Sequence, residues 1–133
     1  MNDPFKQQGA FSWCELMTPD VDAAKRFYGQ LFGWQMQDMA MEGMDYSVVS
    51  VAGAPVGGIM APPKQCATMP PQWGVYVTVA DVDATARQAV ELGGTLLFPP
   101  REIPGVGRFC LLQDPQGAVF YAITYTAPGS ATA

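Results

Sequence analysis

Histidine is absent from this 133-residue chain, and charge of either sign is scarce. Without an imidazole no Ser-His-Asp or Cys-His couple can be assembled, and the commonest neutral metal ligand is missing. Charged residues make up only 14% of the chain, well below the usual share in soluble domains. A surface that sparing in charge points to an oligomer interface or an apolar pocket. Seven basic residues against twelve acidic ones leave a net charge of −5, and no basic run occurs. Nucleic acid, whose phosphates need a positive surface, is therefore not an expected partner. No apolar run approaches the ~18 residues of a membrane span, so no membrane partner is expected either. The three cysteines, Cys14, Cys66 and Cys110, are an odd set without CxxC spacing. That argues against a disulfide framework and for a reducing cytoplasm. Met1 to Ala10 hold no apolar stretch and do not read as a signal peptide.

What the chain does have is a repeat. Asp20-Val21-Asp22-Ala23 returns as Asp81-Val82-Asp83-Ala84, an offset of 61 residues at which Leu31 also meets Leu92 and Gly33 meets Gly94. A strand-like run precedes each copy, Phe11 to Met17 and Trp73 to Val79, the second with Val75, Val77 and Val79 on one face. A helix follows each. Thr18 or Asp20 caps the first, with Val21, Ala24, Tyr28 and Leu31 as its apolar stripe and Gly33 as its stop. Val82, Ala86, Ala89 and Val90 form the second stripe, and Gly93-Gly94 ends it. Strand candidates then run over Gly33 to Met39, Tyr46 to Val51 and Val56 to Met60 in the first copy. In the second they cover Thr95 to Phe98, Arg108 to Leu112 and Ala118 to Thr124. Ala52-Gly53-Ala54 and Asp114-Pro115-Gln116-Gly117 mark hairpin turns. The spacing thus predicts a single α+β domain of two βαβββ modules, about 9–60 and 73–126. A proline-rich linker, 61–72, joins them, and 127–133 is a polar tail.

This pattern resembles the vicinal oxygen chelate superfamily of glyoxalases, bleomycin-resistance proteins and extradiol dioxygenases. Pro19-Asp20-Val21, Phe27-Tyr28 and Leu31-Phe32-Gly33-Trp34 carry the resemblance, with Pro104-Gly105-Val106-Gly107-Arg108-Phe109 and Asp114-Pro115-Gln116-Gly117. It implies curved mixed sheets forming a partly closed, barrel-like cleft, and a homodimer. It also implies a metal held by histidine, glutamate or glutamine at matching places in each module. Here those places hold Trp13, Gly57, about Gly74, and Tyr121. None is a good ligand, so neither a metal nor another cofactor is expected.

Glu15 is the residue most suggestive of function. If Trp13 faces the cleft, strand alternation brings Phe11, Glu15 and Met17 to the same face. A carboxylate among such side chains has its charged form disfavoured, which suits a general base or an anchor for a polar or cationic group. A structural role, fixing the strand through hydrogen bonds, is the competing reading. Trp13, Trp73, Tyr76 and Tyr121 are candidates to line an aromatic cavity, with Gly57, Gly58 and Gly74 leaving room. For each ring alone, a filled core is the simpler alternative. Met60, with Met36, Met39, Met41 and Met44, supplies an adaptable wall or plain packing. Arg108 suits an anionic ligand or a carboxylate on the rim. Cys14, of opposite parity to Trp13, is expected under the helix, and Cys110 shows no sign of activation.

Two functions follow. One is a metal-free protein holding a small organic molecule in an aromatic-lined cleft, as bleomycin-resistance proteins do. The other is a glyoxalase-like lyase or isomerase, or a dioxygenase-type metalloenzyme, with Glu15 as its base.

Overall fold

The computed structural model describes residues 3–41, 44–62, 68–103 and 106–126, with the backbone alone for 40, 41, 44 and 45. Each half of the repeat opens with the same device. Asp20 accepts a hydrogen bond from the N–H of Ala23 at 3.0 Å, and Asp81 accepts one from Ala84 at 3.1 Å. Both carboxylates satisfy a donor that a helix start leaves without a partner, at the positive end of the helix dipole. Helix α1 follows over Val21–Phe32 and α2 over Val82–Glu91. Of the two caps foreseen for α1, Asp20 is the one used.

The strands are β1 (Phe11–Met17), β2 (Gln35–Met41), β3 (Met44–Val51) and β4 (Ala54–Met60), then β5 (Gln72–Thr78), β6 (Thr95–Ile103), β7 (Gly107–Gln113) and β8 (Val119–Tyr125). The order βαβββ occurs twice, and the fold class is α+β. The chain forms two compact units, Trp13–Gly74 and Met1–Ser12 with Val75–Ala133. In the first unit β1 lies parallel to β4, while β2, β3 and β4 pair antiparallel in sequence. The second unit repeats this, with β5 parallel to β8 and β6, β7 and β8 antiparallel. Ala52 at φ 51° and Gly53 at φ 82° join β3 to β4, both on the positive side that a two-residue hairpin turn requires.

One strand, β6, runs well past its sequence-based end. The strand candidate Thr95 to Phe98 ends before Pro99 and Pro100, yet β6 continues to Ile103. It lies last in its unit's strand order and its register to β7 shifts between Phe98 and Arg101. An edge strand with a bulge tolerates proline, because the missing N–H faces no partner.

Each helix covers one face of its unit's sheet. Leu16, Val49 and Ile59 form the first core, against Val21, Ala24 and Tyr28 of α1 and then Trp34 and Met36. Val79, Val82, Ala86, Cys110, Leu112 and Ala122 form the second. Three expectations need correcting. Leu31 is 57% exposed, because Trp34 and Met36 occupy the place beside Tyr28 that the stripe assigned to it. Val90 is 52% exposed, since the α2 cover ends at Ala89. Cys14 is exposed, because the packing under α1 reaches Leu16 but not the residue two places earlier. Residues 63–67 of the proline-rich linker (Cys66 among them), Pro104-Gly105 and the tail 127–133 lie outside the described residues.

Cys110 is buried, and burial pushes its thiol up to about 11. Since the thiolate is the nucleophile, native protein at pH 8 is expected to alkylate at Cys14 at least ~100-fold faster than at Cys110. Peptide mapping after iodoacetamide checks this, and equal rates would contradict the burial. Stability is expected to fall as pH rises from the ordinary thiol range toward 11, because the unfolded chain ionises first.

Candidate functional site

The alternation of β1 sends Leu16 under α1 and Trp13, Glu15 and Met17 to the opposite face. Register extends that face across the first unit. Glu15 pairs with Gly58 and Met17 with Met60, while Tyr46 lies opposite Met60 and Val48 opposite Gly58. Glu15 is 1% exposed, and Met17 and Met60 are each 2% exposed. The Trp13 indole N–H donates to the Tyr46 hydroxyl at 2.9 Å. The Tyr46 ring therefore reaches back across β4. A Cβ at Gly58 would overlap its hydroxyl and would lie 2.9 Å from Cε1. Only glycine admits the tyrosine there. The result is a buried carboxylate on a face of indole, phenol and two thioethers.

Gln72 at the start of β5 belongs to the same unit. Its side-chain Nε2 is buried without a hydrogen-bond partner. A buried amide donor in that state costs about 1–3 kcal/mol, a penalty that an acceptor on a ligand would remove. Sequence reasoning missed both Tyr46 and Gln72. Tyr46 lies far from β1 along the chain, and only the register of β3 on β4 brings it to Trp13. Gln72 has the strand parity of Gly74 and Tyr76, a signal that was present but unused.

In the second unit Tyr76 and Tyr121 stack with ring centroids 4.2 Å apart and planes within 5°. Phe109 lies 6.3 Å from each and 5.7 Å from Phe98. All four rings are 4% exposed or less.

Two of the expected ligand contacts, Trp73 and Arg108, are engaged by neighbouring side chains. Trp73 differs from Tyr76 by an odd number of residues, so it projects from the other face of β5. Its ring packs edge-on against Tyr28 and Trp34 at 5.3 and 5.8 Å, and its indole N–H donates to the Tyr28 hydroxyl at 3.2 Å. Met36 likewise packs beneath α1 and is not part of the Glu15 face. The side chains of Met41 and Met44 lie outside the described residues.

Arg108 has the parity of Cys110 and turns toward α2. It makes two hydrogen bonds to Asp83, at 2.8 and 3.0 Å, and comes within 3.9 Å of Glu102. The planar guanidinium matches the carboxylate fork, so Arg108 ties β7 to α2. This contact holds the Asp83 carboxyl below its usual range. A depressed pKa stabilises the fold above the ordinary carboxylate range and loses that contribution as pH falls through the depressed value. Arg108→Gln is expected to leave ligand binding unchanged and to move the Asp83 titration back up. An NMR titration of that carboxyl checks it, and loss of binding would restore Arg108 to the site.

The four places at which the resemblance implies metal ligands hold no good donor. The Trp13 indole nitrogen is a hydrogen-bond donor without a lone pair to offer. Gly74 has no side chain, and a Cβ at Gly57 would lie 2.6 Å from the Cys14 carbonyl oxygen. Tyr121 is stacked on Tyr76. Among the described residues no group of three or more histidine, cysteine, aspartate or glutamate side chains is placed to hold an ion. An open depression of about 390 Å³ between α1 and β2 is lined by Asp22, Lys25, Arg26, Met36 and Asp38. There Lys25 pairs with Asp22 and Asp38, and Asp38 also accepts from Ser47. Its charges answer one another on an exposed rim, away from Glu15.

Twice-repeated βαβββ with a parallel β1–β4 or β5–β8 pair defines the fold class of the glyoxalase-like proteins. The Glyoxalase/Bleomycin resistance protein/Dioxygenase superfamily profile matches residues 10–121, and the chain belongs to that family. CFP32 of Mycobacterium tuberculosis, provisionally called a glyoxylase, is 42% identical over 115 residues, covering 86% of this chain and 43% of its own length. The anthracycline biosynthesis protein DnrV of Streptomyces peucetius is 36% identical over 115 residues, 86% of this chain and 41% of its own. The chain thus spans about two fifths of these relatives. Among solved structures, a methylmalonyl-CoA epimerase variant from Streptomyces coelicolor, complexed with 2-nitronate-propionyl-CoA, superposes with a TM-score of 0.63. It is 19% identical and covers 91% of this chain and 100% of that one. The Mycobacterium tuberculosis epimerase gives 0.61 at 20% identity, covering 96% and 95%. These structures share the fold.

Proposed function

We propose that the first unit holds a small, planar organic molecule on the face of Trp13, Tyr46 and Met60, without a metal, and that Glu15 anchors a polar or cationic group of that molecule. The observation that carries this reading is Glu15 itself, a carboxylate 1% exposed on a face that is otherwise largely apolar. A buried carboxylate on such a face suits the anchoring of a polar or cationic group. The relatives named for anthracycline biosynthesis support a planar ligand class. The chain is taken to act in the cytoplasm as a homodimer.

A second reading has its own support. The relatives called glyoxylases are enzymes by name, and a buried carboxylate with a phenol on the same face is the pair a proton transfer needs. Glu15 would then remove a proton from carbon and Tyr46 would steady the oxyanion. A titration with a hydroxylated anthraquinone, with and without an amino substituent, tests the first reading by tryptophan fluorescence. Saturation at one molecule per chain, tighter for the amine, is expected. No saturable binding of either compound would overturn the planar-ligand reading.

A further inference from the structure

Helix α1 carries an aromatic face that its own unit does not cover. Phe27, Leu31 and Phe32 are 59, 57 and 58% exposed, and no residue of α1 is fully buried. Phe27 packs edge-on to Tyr28, Tyr28 stacks on Phe32 and Trp34, and Trp73 closes against Tyr28 and Trp34. The rings make one continuous patch.

The internal repeat supplies a control for this patch. At the offset of 61, Phe27, Tyr28, Phe32 and Trp34 correspond to Gln88, Ala89, Gly93 and Thr95. The second copy builds the same βαβββ without any of those aromatics, and its helix buries Val82 and Ala86. The fold therefore does not require the exposed rings of α1, Phe27 and Phe32. An exposed aromatic cluster of this kind marks a surface that another molecule covers.

We propose that this α1 face is the dimer interface, covered by the same face of a second copy of the chain about a two-fold axis. The inference rests on the homodimer reading above and names its surface. Phe27, Leu31, Phe32 and Trp73 together leave roughly 400 Å² of apolar surface exposed. A standard interface takes about 800 Å² from each partner, some 65% of it apolar in homodimers, so the patch supplies most of the apolar share of a small one. Charge agrees. From Ala23 to Gln37 the chain has Lys25 and Arg26 and no acidic residue, in a molecule of net charge −5. The flanking Asp22 and Asp38 are both paired with Lys25, so two acidic copies meet there without bringing unanswered negative charge together.

Sedimentation velocity of the full chain over a concentration series tests this. A dimer with a Kd of ~10 µM or tighter is expected, weakened more than ~100-fold in Phe27→Asp/Phe32→Asp with an unchanged circular dichroism spectrum. Val90→Asp on the exposed side of α2 is expected to leave the dimer intact, and Leu31→Lys is the milder variant should the double one not fold. A wild-type chain that stays monomeric throughout would overturn both the interface and the homodimer reading. A dimer that the α1 variants leave untouched would overturn the interface alone.

Discussion

Glu15→Gln is expected to keep the fold and lose the ligand. Glutamine has the size of glutamate and keeps one carbonyl oxygen as an acceptor, so the strand face retains its packing. What disappears is the charge. Hydrogen bonds to charged groups contribute about 1.5–3 kcal/mol, so binding of an amino-anthraquinone is expected to weaken ~10- to 150-fold. The same compound without its amine is expected to weaken far less. This contrast separates an anchoring role from a structural one. If Glu15 only fixes β1, both compounds bind as before, or both fail together with the melting temperature. The variant also addresses the enzymatic reading. A carboxamide cannot accept a proton from carbon, so any turnover found in the wild type would vanish while affinity changed little.

The second large effect is expected at Gly58. A single methyl group there cannot coexist with Tyr46, whose hydroxyl and ring occupy the space a Cβ would take. The tyrosine must swing away, and its bond from the Trp13 indole breaks with it. Overpacking of this sort costs about 1–3 kcal/mol, because a side chain can move where a backbone could not. Gly58→Ala is therefore expected to lower the melting temperature by several degrees and to abolish ligand binding, with a change in Trp13 fluorescence as its signature. Tyr46→Phe is the matching variant. It keeps the ring over Gly58 and removes only the hydroxyl, so its stability loss is expected to be smaller. A Gly58→Ala protein that melts and binds like the wild type would show that Tyr46 has another place to go and is no part of the site.

Much of the fold was legible because local chemistry repeated. Asp20 and Asp81 announce both helices through the same side-chain bond to the third N–H onward, a purely local signal. The hairpin at Ala52-Gly53 and the stop at Gly33 are local too. What eluded the sequence depended on partners distant along the chain. Proline at 99 and 100 argues against a strand unless the strand is known to be an edge, and edge status is a property of the whole sheet. Arg108 finds Asp83 only once β7 is laid beside α2. Tyr46 reaches Trp13 through two successive registers, β3 on β4 and β4 on β1. Trp73 is a different case. Its odd spacing from Tyr76 already placed the two rings on opposite faces, and the shared aromatic character of the residues obscured that arithmetic. The prominence of Glu15 was legible, since alternation from Trp13 fixes its face. Its degree of burial was not, because that depends on everything packed around β1.

The central claim is that this family member works without a metal, and it can be tested directly. Purified chain incubated in turn with Ni²⁺, Zn²⁺, Fe²⁺ and Mn²⁺, then dialysed exhaustively, can be assayed for bound metal by plasma mass spectrometry. The expected result is well under ~0.1 equivalent per chain for every ion, with anthraquinone binding unaffected by a chelator. One equivalent of any of these ions per chain, with a loss of ligand binding on chelation, would contradict the claim.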